Sequence, residues 1–306
     1  MTKQALMVGL GEVLWDVLPS GRLLGGAPTN FAYMTCVLGD RGIVASRVGK
    51  DNLGQETYHR LKQLGLDTGY LQEDADSRTG TAAVTIDSAG QPAFTIEESV
   101  AWDGLQWTLE WQELSARADV ICFGTLAQRS AVSADTIDRF LSNCKSDVLI
   151  IFDVNLRQSY YDKELLERSL QHPNIVKLSE QELGIVAALL GMEGNSTQLL
   201  ARQLRQEFQL ELVCVTRGAR GSLLVAEHEL VSHPGFAVKV VDSVGAGDAF
   251  TACLAHHFVR GHSLSEISGY ANRLASWVAT QAGATPAINP SHAQELLQDG
   301  CSEGVC

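Results

Sequence analysis

From about residue 105 onward, short apolar runs alternate with amphipathic stretches, and that alternation leaves few folds open. The runs cover 120–123, 148–152, 175–178 and 212–215, and helical patterns cover 133–141, 163–170, 180–190 and 198–208. Strands that are apolar throughout have no solvent face, so they belong in a parallel sheet with helices on both sides. Strand-like stretches at 221–226 and 237–241 precede a glycine-rich octet, and two long helical runs follow it. Residues 1–100 read differently. A buried first strand at 5–10 and helices at 30–38 and 52–64, closed by Gly39 and Gly65, interleave with short strands at 13–18, 68–71, 81–87 and 93–98. Ser88-Ala89-Gly90-Gln91 suits a hairpin turn between the last two. The expectation is one α/β domain over 1–306, with a small β-sheet from about 12–25 and 68–102 projecting over its edge as a lid. Residues 301–306 read as a frayed tail.

The octet is Asp242-Ser243-Val244-Gly245-Ala246-Gly247-Asp248-Ala249, running directly into the apolar stretch 250–259. Gly245 and Gly247 let the backbone turn tightly and approach a ligand. The helix that follows has unpaired first amides and a positive dipole end aimed back at the turn, which makes an anion site. A carboxylate that only capped the helix belongs ahead of the turn, where Asp242 stands. Asp248 sits inside the cradle. That position suits a base beside a phosphoryl group, taking a proton from an attacking hydroxyl.

Charge narrows the partners. The chain carries 36 acidic against 23 basic residues, a net charge of −13, with no cluster of Lys and Arg. Nucleic acid and an anionic membrane are therefore not expected partners, and no apolar run reaches membrane-spanning length. A Gly-x-x-x-x-Gly-Lys-Ser/Thr loop is absent, and Gly9-Leu10-Gly11 lacks the third glycine of a dinucleotide fingerprint. Seven scattered cysteines without a Cys-x-x-Cys pair read as reduced, buried small hydrophobes. Residues 1–4 lead straight into a strand without a signal-peptide core, so a cytoplasmic protein is expected.

A second glycine-rich segment, Gly25-Gly26-Ala27-Pro28-Thr29-Asn30, stands at the start of the helical run 30–38. Its backbone amides can meet a polar ligand, and Asn30 offers both a donor and an acceptor; Thr29 or Asn30 equally suits a helix cap. The octet resembles the C-terminal signature of the ribokinase-like (PfkB) carbohydrate and nucleoside kinases. The second segment resembles their N-terminal Gly-Gly-x-x-x-Asn signature, in the Gly-Gly-Ala-Pro-x-Asn spelling common among fructokinase-like members. The resemblance spans roughly residues 5–290. It implies a ribokinase-like three-layer α/β/α domain with a mostly parallel central sheet and a small β lid. It also implies an ATP-dependent sugar kinase with Asp248 as catalytic base and the amides of Gly245, Ala246 and Gly247 as the anion hole.

Further positions follow from the same resemblance. Asp16, with Gly25, Gly26 and Asn30, is implied to bind the sugar; a solvated turn Asp before Pro19 is the alternative for Asp16. Glu12 receives no assignment. Asp153-Val154-Asn155-Leu156-Arg157 follows an apolar run, and ligands of open α/β sheets bind beyond the carboxyl ends of the strands. It resembles the Asp-x-Asn-x-Arg of fructokinase relatives, which implies Asn155 and Arg157 beside the sugar and phosphate. Arg129 is similarly placed after 120–123, and either arginine also suits pairing with a surface carboxylate.

Lys177-Leu178-Ser179-Glu180-Gln181-Glu182 resembles the family's Asn-x-x-Glu segment, with Ser179 in place of Asn. Lys177 and Ser179 are then implied at the nucleotide and Glu182 at magnesium-bound water, while Ser179 with Glu182 also fits a capping box. Thr216, Gly218 and Gly221 match a nucleotide-side Thr-x-Gly-x-x-Gly, which alone is a β-turn. Asn272 matches a residue near the adenine, or else an exposed helix Asn. Asp242 and Ser243, with 279, 283 and 287, match a segment lending oxygens to a monovalent cation, so K+ joins ATP and Mg2+ as a candidate. Trp102 reads as core packing or as a cover for the sugar. His256 and His257 adjoin on a helix and point about 100° apart, so they cannot chelate one ion together.

Fructose suits the motif spelling. Within the class the alternatives are 2-keto-3-deoxygluconate, ribose or a nucleoside; outside it, a non-catalytic sugar or nucleotide sensor. A monomer and a homodimer, its lid sheets paired, both remain open.

Overall fold

The computed structural model describes residues 4–18, 21–86, 92–289, 292, 295 and 296. In chain order the strands are β1 (Leu6–Leu10), β2 (Leu14–Leu18), β3 (Gly21–Gly25), β4 (Arg41–Gly49), β5 (Leu71–Asp74), β6 (Gly80–Ile86), β7 (Pro92–Ile96), β8 (Val120–Phe123), β9 (Leu149–Asp153), β10 (Ile175–Ser179), β11 (Leu212–Thr216), β12 (Ser222–Val225) and β13 (Leu230–His233). The helices are α1 (Ala27–Val37), α2 (Asn52–Gln63), α3 (Leu109–Arg117), α4 (Ala131–Ser142), α5 (Lys163–Ser169), α6 (Glu180–Leu190), α7 (Thr197–Glu207), α8 (Ala246–Phe258) and α9 (Leu264–Ala279).

Nine strands form one sheet in the order β13-β12-β11-β10-β9-β8-β1-β4-β5. Pairing is parallel from β11 to β5 and antiparallel at the β11–β12–β13 edge. Strand alternation splits the core across this sheet. Val8, Phe123 and Phe152 face the side packed with Trp111 of α3 and Phe140 of α4. Met7, Val44 and Ile151 face the side packed with Phe31 of α1 and Leu254 of α8. The result is the expected three layers. Local caps set several helix starts: Asp51 accepts from Gly54 N at 2.8 Å, Asp162 from Leu165 N at 2.8 Å, and Ser196 from Leu199 N at 3.2 Å.

A smaller sheet, β3-β2-β6-β7, stands apart as the lid. Its outer pairs are antiparallel, and β2 runs parallel to β6. Trp15 on β2 ties it to the body by donating its indole N–H to Thr57 Oγ1 at 2.9 Å.

Several expectations need correction. The stretch 237–241 is not a strand: after β13, Pro234 and Gly235 end the pairing, and Val241 N donates to Ala279 O at 2.9 Å instead. Residues 68–70 form a turn in which Gly69 N donates to Asp67 Oδ1 at 2.9 Å. The strand β5 starts at Leu71 and pairs with β4 in the large sheet, so the lid does not extend to 68. Helix α1 starts at Ala27 rather than at residue 30, which removes Thr29 and Asn30 as caps. Trp102 is fully buried, so core packing is its role and it does not face the sugar. Strands β3, β4 and β13 and helix α3 have no counterpart in the sequence reading. Cys36, Cys122, Cys144, Cys214 and Cys253 are free thiols, whereas Cys301, Cys306, the tail 301–306 and the turn 88–91 lie outside the described residues. Among the described residues no helix is long and apolar enough to cross a membrane.

Candidate active site

The octet forms the turn into α8. Gly245 is the N-cap at φ +80°, where a Cβ would sit 2.5 Å from the Ala284 Cβ, so both its conformation and its neighbour require glycine. Asp248 lies in the first turn of α8, half-buried. Helices α1 and α8 pack side by side, and this brings the two glycine-rich segments together. Asn30 Nδ2 donates to Asp248 Oδ2 at 2.7 Å across 218 positions of sequence.

The crevice at this contact is lined by Glu12, Pro28, Phe31, Phe123, Asp153 and Asp248. Glu12 follows β1, Phe123 ends β8 and Asp153 ends β9, so the floor is built from carboxyl ends of neighbouring strands. Burial pushes the Asp248 carboxyl up to about 6; Asp153 adds to the rise, while Lys177, the Asn30 hydrogen bond and Arg157 oppose it. Below it, Lys177 Nζ stands 3.0 Å from both oxygens of Asp153, and Thr251 Oγ1 donates to Asp153 Oδ2 at 2.9 Å. Burial works to lower the Lys177 pKa, but Asp153, Asp248 and Glu182 together raise it, so this ammonium stays charged.

The lid supplies Asp16 from β2. Burial pushes its carboxyl up to about 6, with Arg157 opposing and Asp242 adding to the rise, which places all three in one electrostatic neighbourhood. Gly25 and Gly26 make close approaches: a Cβ on Gly25 would lie 2.6 Å from Asp16 Oδ2, and one on Gly26 2.6 Å from the Glu12 carbonyl oxygen. Asn155 takes a left-handed conformation at φ +43°, and Arg157 beside it is exposed. The Arg157 charge pulls down on Glu12, Asp16 and Asp248 alike.

Further along the strand ends, Ser179 and Glu182 form the capping box of α6, with Ser179 N donating to Glu182 Oε2 at 2.7 Å. The other Glu182 oxygen accepts from Leu156 N at 2.8 Å, so each carboxylate oxygen takes one amide and keeps a further lone pair. Among the described residues no group of three His, Cys, Asp or Glu is arranged to hold a metal. Thr216 ends β11, and Gly218 begins the short turn that Gly221 closes at φ +75°. Asp242 accepts from Val244 N and Gly283 N, both at 3.0 Å, and so ties the loop before α8 to Gly283.

Two candidates fall away from the cleft. Arg129 is bidentate to Asp103 at 2.8 Å, donates to Glu97 O at 2.6 Å and lies over the Trp102 ring at 4.0 Å. It anchors the root of the lid. Asn272 is not exposed: it is buried, and its Nδ2 donates to Ser222 Oγ and Ser268 O at 2.7 Å. Conversely, Glu12 and Thr251 belong to the site and had no assignment. Only the position of Glu12 directly after β1 signalled it.

Comparison with known proteins agrees with this architecture. The profile described as pfkB family carbohydrate kinase matches residues 21–291. A fructokinase of Escherichia coli is 31% identical over 263 residues, covering 80% of this chain and 81% of that protein. The solved structure of an uncharacterized sugar kinase from Pyrococcus horikoshii in complex with ATP superposes with a TM-score of 0.80 at 26% identity, covering 95% of this chain and 100% of that one. A fructokinase double mutant from Vibrio cholerae, in fructose, ADP and potassium ion bound form, superposes with a TM-score of 0.80 at 25% identity, covering 96% and 98%. The chain belongs to the pfkB family of carbohydrate kinases and is an ATP-dependent sugar kinase.

Proposed function

We propose that this kinase phosphorylates a primary hydroxyl of fructose, with Asp248 as the base. The observation that carries the reading is the 2.7 Å hydrogen bond from Asn30 to Asp248, which joins the two glycine-rich segments at the N-terminus of α8. The ionised Asp248 takes the hydroxyl proton as the oxygen attacks the γ-phosphorus. The new O–P bond forms while the bond to ADP breaks, in line. The amides of Gly245 and Gly247 receive the transferred phosphoryl oxygens, joined by that of Ala246 once it leaves the Ser243 carbonyl, to which it donates at 3.3 Å. Asn30 has its Oδ1 without a hydrogen-bond partner, which suits a sugar hydroxyl as donor. Asp16 and Asn155 hold the remaining hydroxyls, and Arg157 offsets negative charge at the rim.

ATP would lie along the ends of β10 and β11, beside Ser179, Thr216, Gly218 and Gly221, whereas Lys177, expected at the nucleotide, is buried beneath the glycine turn and paired with Asp153. Mg2+ would supply charge neutralisation on the phosphates, and Glu182, with one amide on each oxygen, keeps acceptor capacity for a water of that ion. The loop of Asp242 and Ser243 offers oxygen donors suited to K+, and potassium accompanies fructose and ADP in the Vibrio cholerae fructokinase. The 31% identity to a fructokinase supports fructose over other sugars.

The test is a panel of fructose, 2-keto-3-deoxygluconate, ribose and a nucleoside with coupled ADP detection, run with and without K+. Preference for any of the last three removes fructose as the substrate. Asp248→Asn is expected to lower turnover by about 10²–10⁴-fold while ATP still binds; a variant that turns over normally removes the base.

A further inference from the structure

Asn155 is half-buried and holds a left-handed backbone conformation at φ +43°. Asn is among the few residues other than glycine that visit this region, and a residue stays there only when its surroundings fix it. The peptide unit that follows Asn155 is gripped at both ends. Its carbonyl, Asn155 O, accepts from Thr125 Oγ1 at 3.3 Å, and its amide, Leu156 N, donates to Glu182 Oε1 at 2.8 Å. The same Thr125 hydroxyl donates to Val154 O at 2.9 Å, so one proton serves the carbonyls on either side of the Asn155 Cα. One unit earlier, Val154 N donates to Lys177 O at 3.0 Å. Thr125 lies two residues beyond β8, and Glu182 sits in the first turn of α6, directly after β10. Strands β8 and β10 flank β9, so the loop after β9 is held from both sides. Thr125 is fully buried, and no water can take over its two carbonyls. The second Glu182 oxygen accepts from Ser179 N at 2.7 Å, which ties that carboxylate to the start of α6.

We infer that Thr125 and Glu182 are positioning residues for the sugar: they clamp the Asn155–Leu156 peptide from opposite sides and so fix the direction in which Asn155 presents its side chain. The inference rests on the reading of Asn155 as a sugar ligand. Thr125 carries the test, because Glu182 is also assigned to a water of the metal ion. Valine fills the space of Thr125 and has no proton for the two carbonyls, whereas serine keeps the hydroxyl.

The experiment compares Thr125→Val, Thr125→Ser, Asn155→Ala and the double variant Thr125→Val with Asn155→Ala. It measures kcat and separate KM values for ATP and for fructose, or for whichever sugar the panel above selects in its place. Thr125→Val is expected to raise KM for the sugar about three- to tenfold, the effect of one hydrogen bond, with KM for ATP unchanged. Thr125→Ser keeps the wild-type KM for the sugar. Asn155→Ala raises that KM at least as far as Thr125→Val does, and the double variant raises it no further, because the clamp acts through the side chain already removed. Thr125→Ala, which also lacks the hydroxyl, takes the place of Thr125→Val if the valine variant does not fold. An unchanged KM for the sugar without the hydroxyl, KM values for ATP and sugar that rise together, no rescue by serine, or additive effects in the double variant overturn the inference. Asn155→Ala alone separates the two levels. An unchanged KM for the sugar there removes Asn155 from the sugar and the clamp's purpose with it, whereas a raised KM in Asn155→Ala beside an unaffected Thr125→Val removes only the clamp.

Discussion

The Lys177 ammonium grips both carboxylate oxygens of Asp153 at 3.0 Å, directly beneath the glycine turn that opens α8. A Cβ on Gly247 would lie 3.0 Å from that ammonium, so the buried pair is also the underside of the candidate anion hole. Removing one partner of such a pair leaves a desolvated charge, which costs more than removing both. Lys177→Met is predicted to lose about 3–5 kcal/mol in urea unfolding, and Lys177→Met with Asp153→Leu to recover much of that loss. A single variant as stable as wild type contradicts the prediction.

Two carboxyls of the site titrate together. Asp248 is pushed up to about 6 and so is Asp16, in both cases chiefly by burial. The base acts ionised, and an ionised Asp16 accepts from sugar hydroxyls, so both protons must leave before sugar binds productively. A plot of log kcat/KM for the sugar against pH should therefore fall with a slope approaching two below about pH 6. With Asp16→Asn the limb should keep its place with a slope near one. A wild-type slope of one leaves Asp16 out of the ionisations that matter.

Strands β8 to β11 are legible in sequence because helices cover both their faces, so they are apolar except for the Asp153–Lys177 pair and the polar residues Ser179 and Thr216 at their carboxyl ends. Strand β4 is not, since it carries Arg41, Ser46 and Arg47 within a buried run; Arg47 is tolerated because Asp74 on β5 pairs with it at 3.1 Å. The valines of 237–241 suggested a strand that tertiary pairing does not supply. In the site, the glycine turns were readable because their backbones demand glycine. Arg129 and Asn272 were misassigned because their partners, Asp103 and Ser222, lie 26 and 50 positions away. Nor does sequence spacing reveal that Asn30 and Asp248 touch.

The corrected role of Arg129 separates it from Arg157. Its guanidinium is bidentate to Asp103 and lies over the Trp102 and Tyr160 rings at 4.0 and 4.8 Å, a geometry that lysine cannot reproduce. Arg129→Lys is expected to lower stability by about 3 kcal/mol. Arg157 is exposed, so Arg157→Lys should leave thermal unfolding unchanged while raising KM for the sugar. The opposite pattern, a stable Arg129→Lys with a raised KM, restores Arg129 to the substrate.

Stability should fall on acidification through one residue far from the chemistry. His257, at the distal end of α8, is 5% exposed, has no hydrogen-bond partner on either ring nitrogen and stacks on Tyr270 at 4.6 Å. Burial, with His256, His262 and Arg260 nearby, pushes its pKa from 6.5 down to about 3. Between those values the unfolded chain binds a proton that the folded chain excludes, so stability contributed at neutral pH is lost as pH falls below 6.5. The loss should reach about 2 kcal/mol by about pH 5. His257→Phe keeps a stacking ring and has no proton to gain, so its urea midpoint should decline less over the same interval. Equal declines in the two proteins would show that the ring is already solvated and that acid sensitivity originates elsewhere.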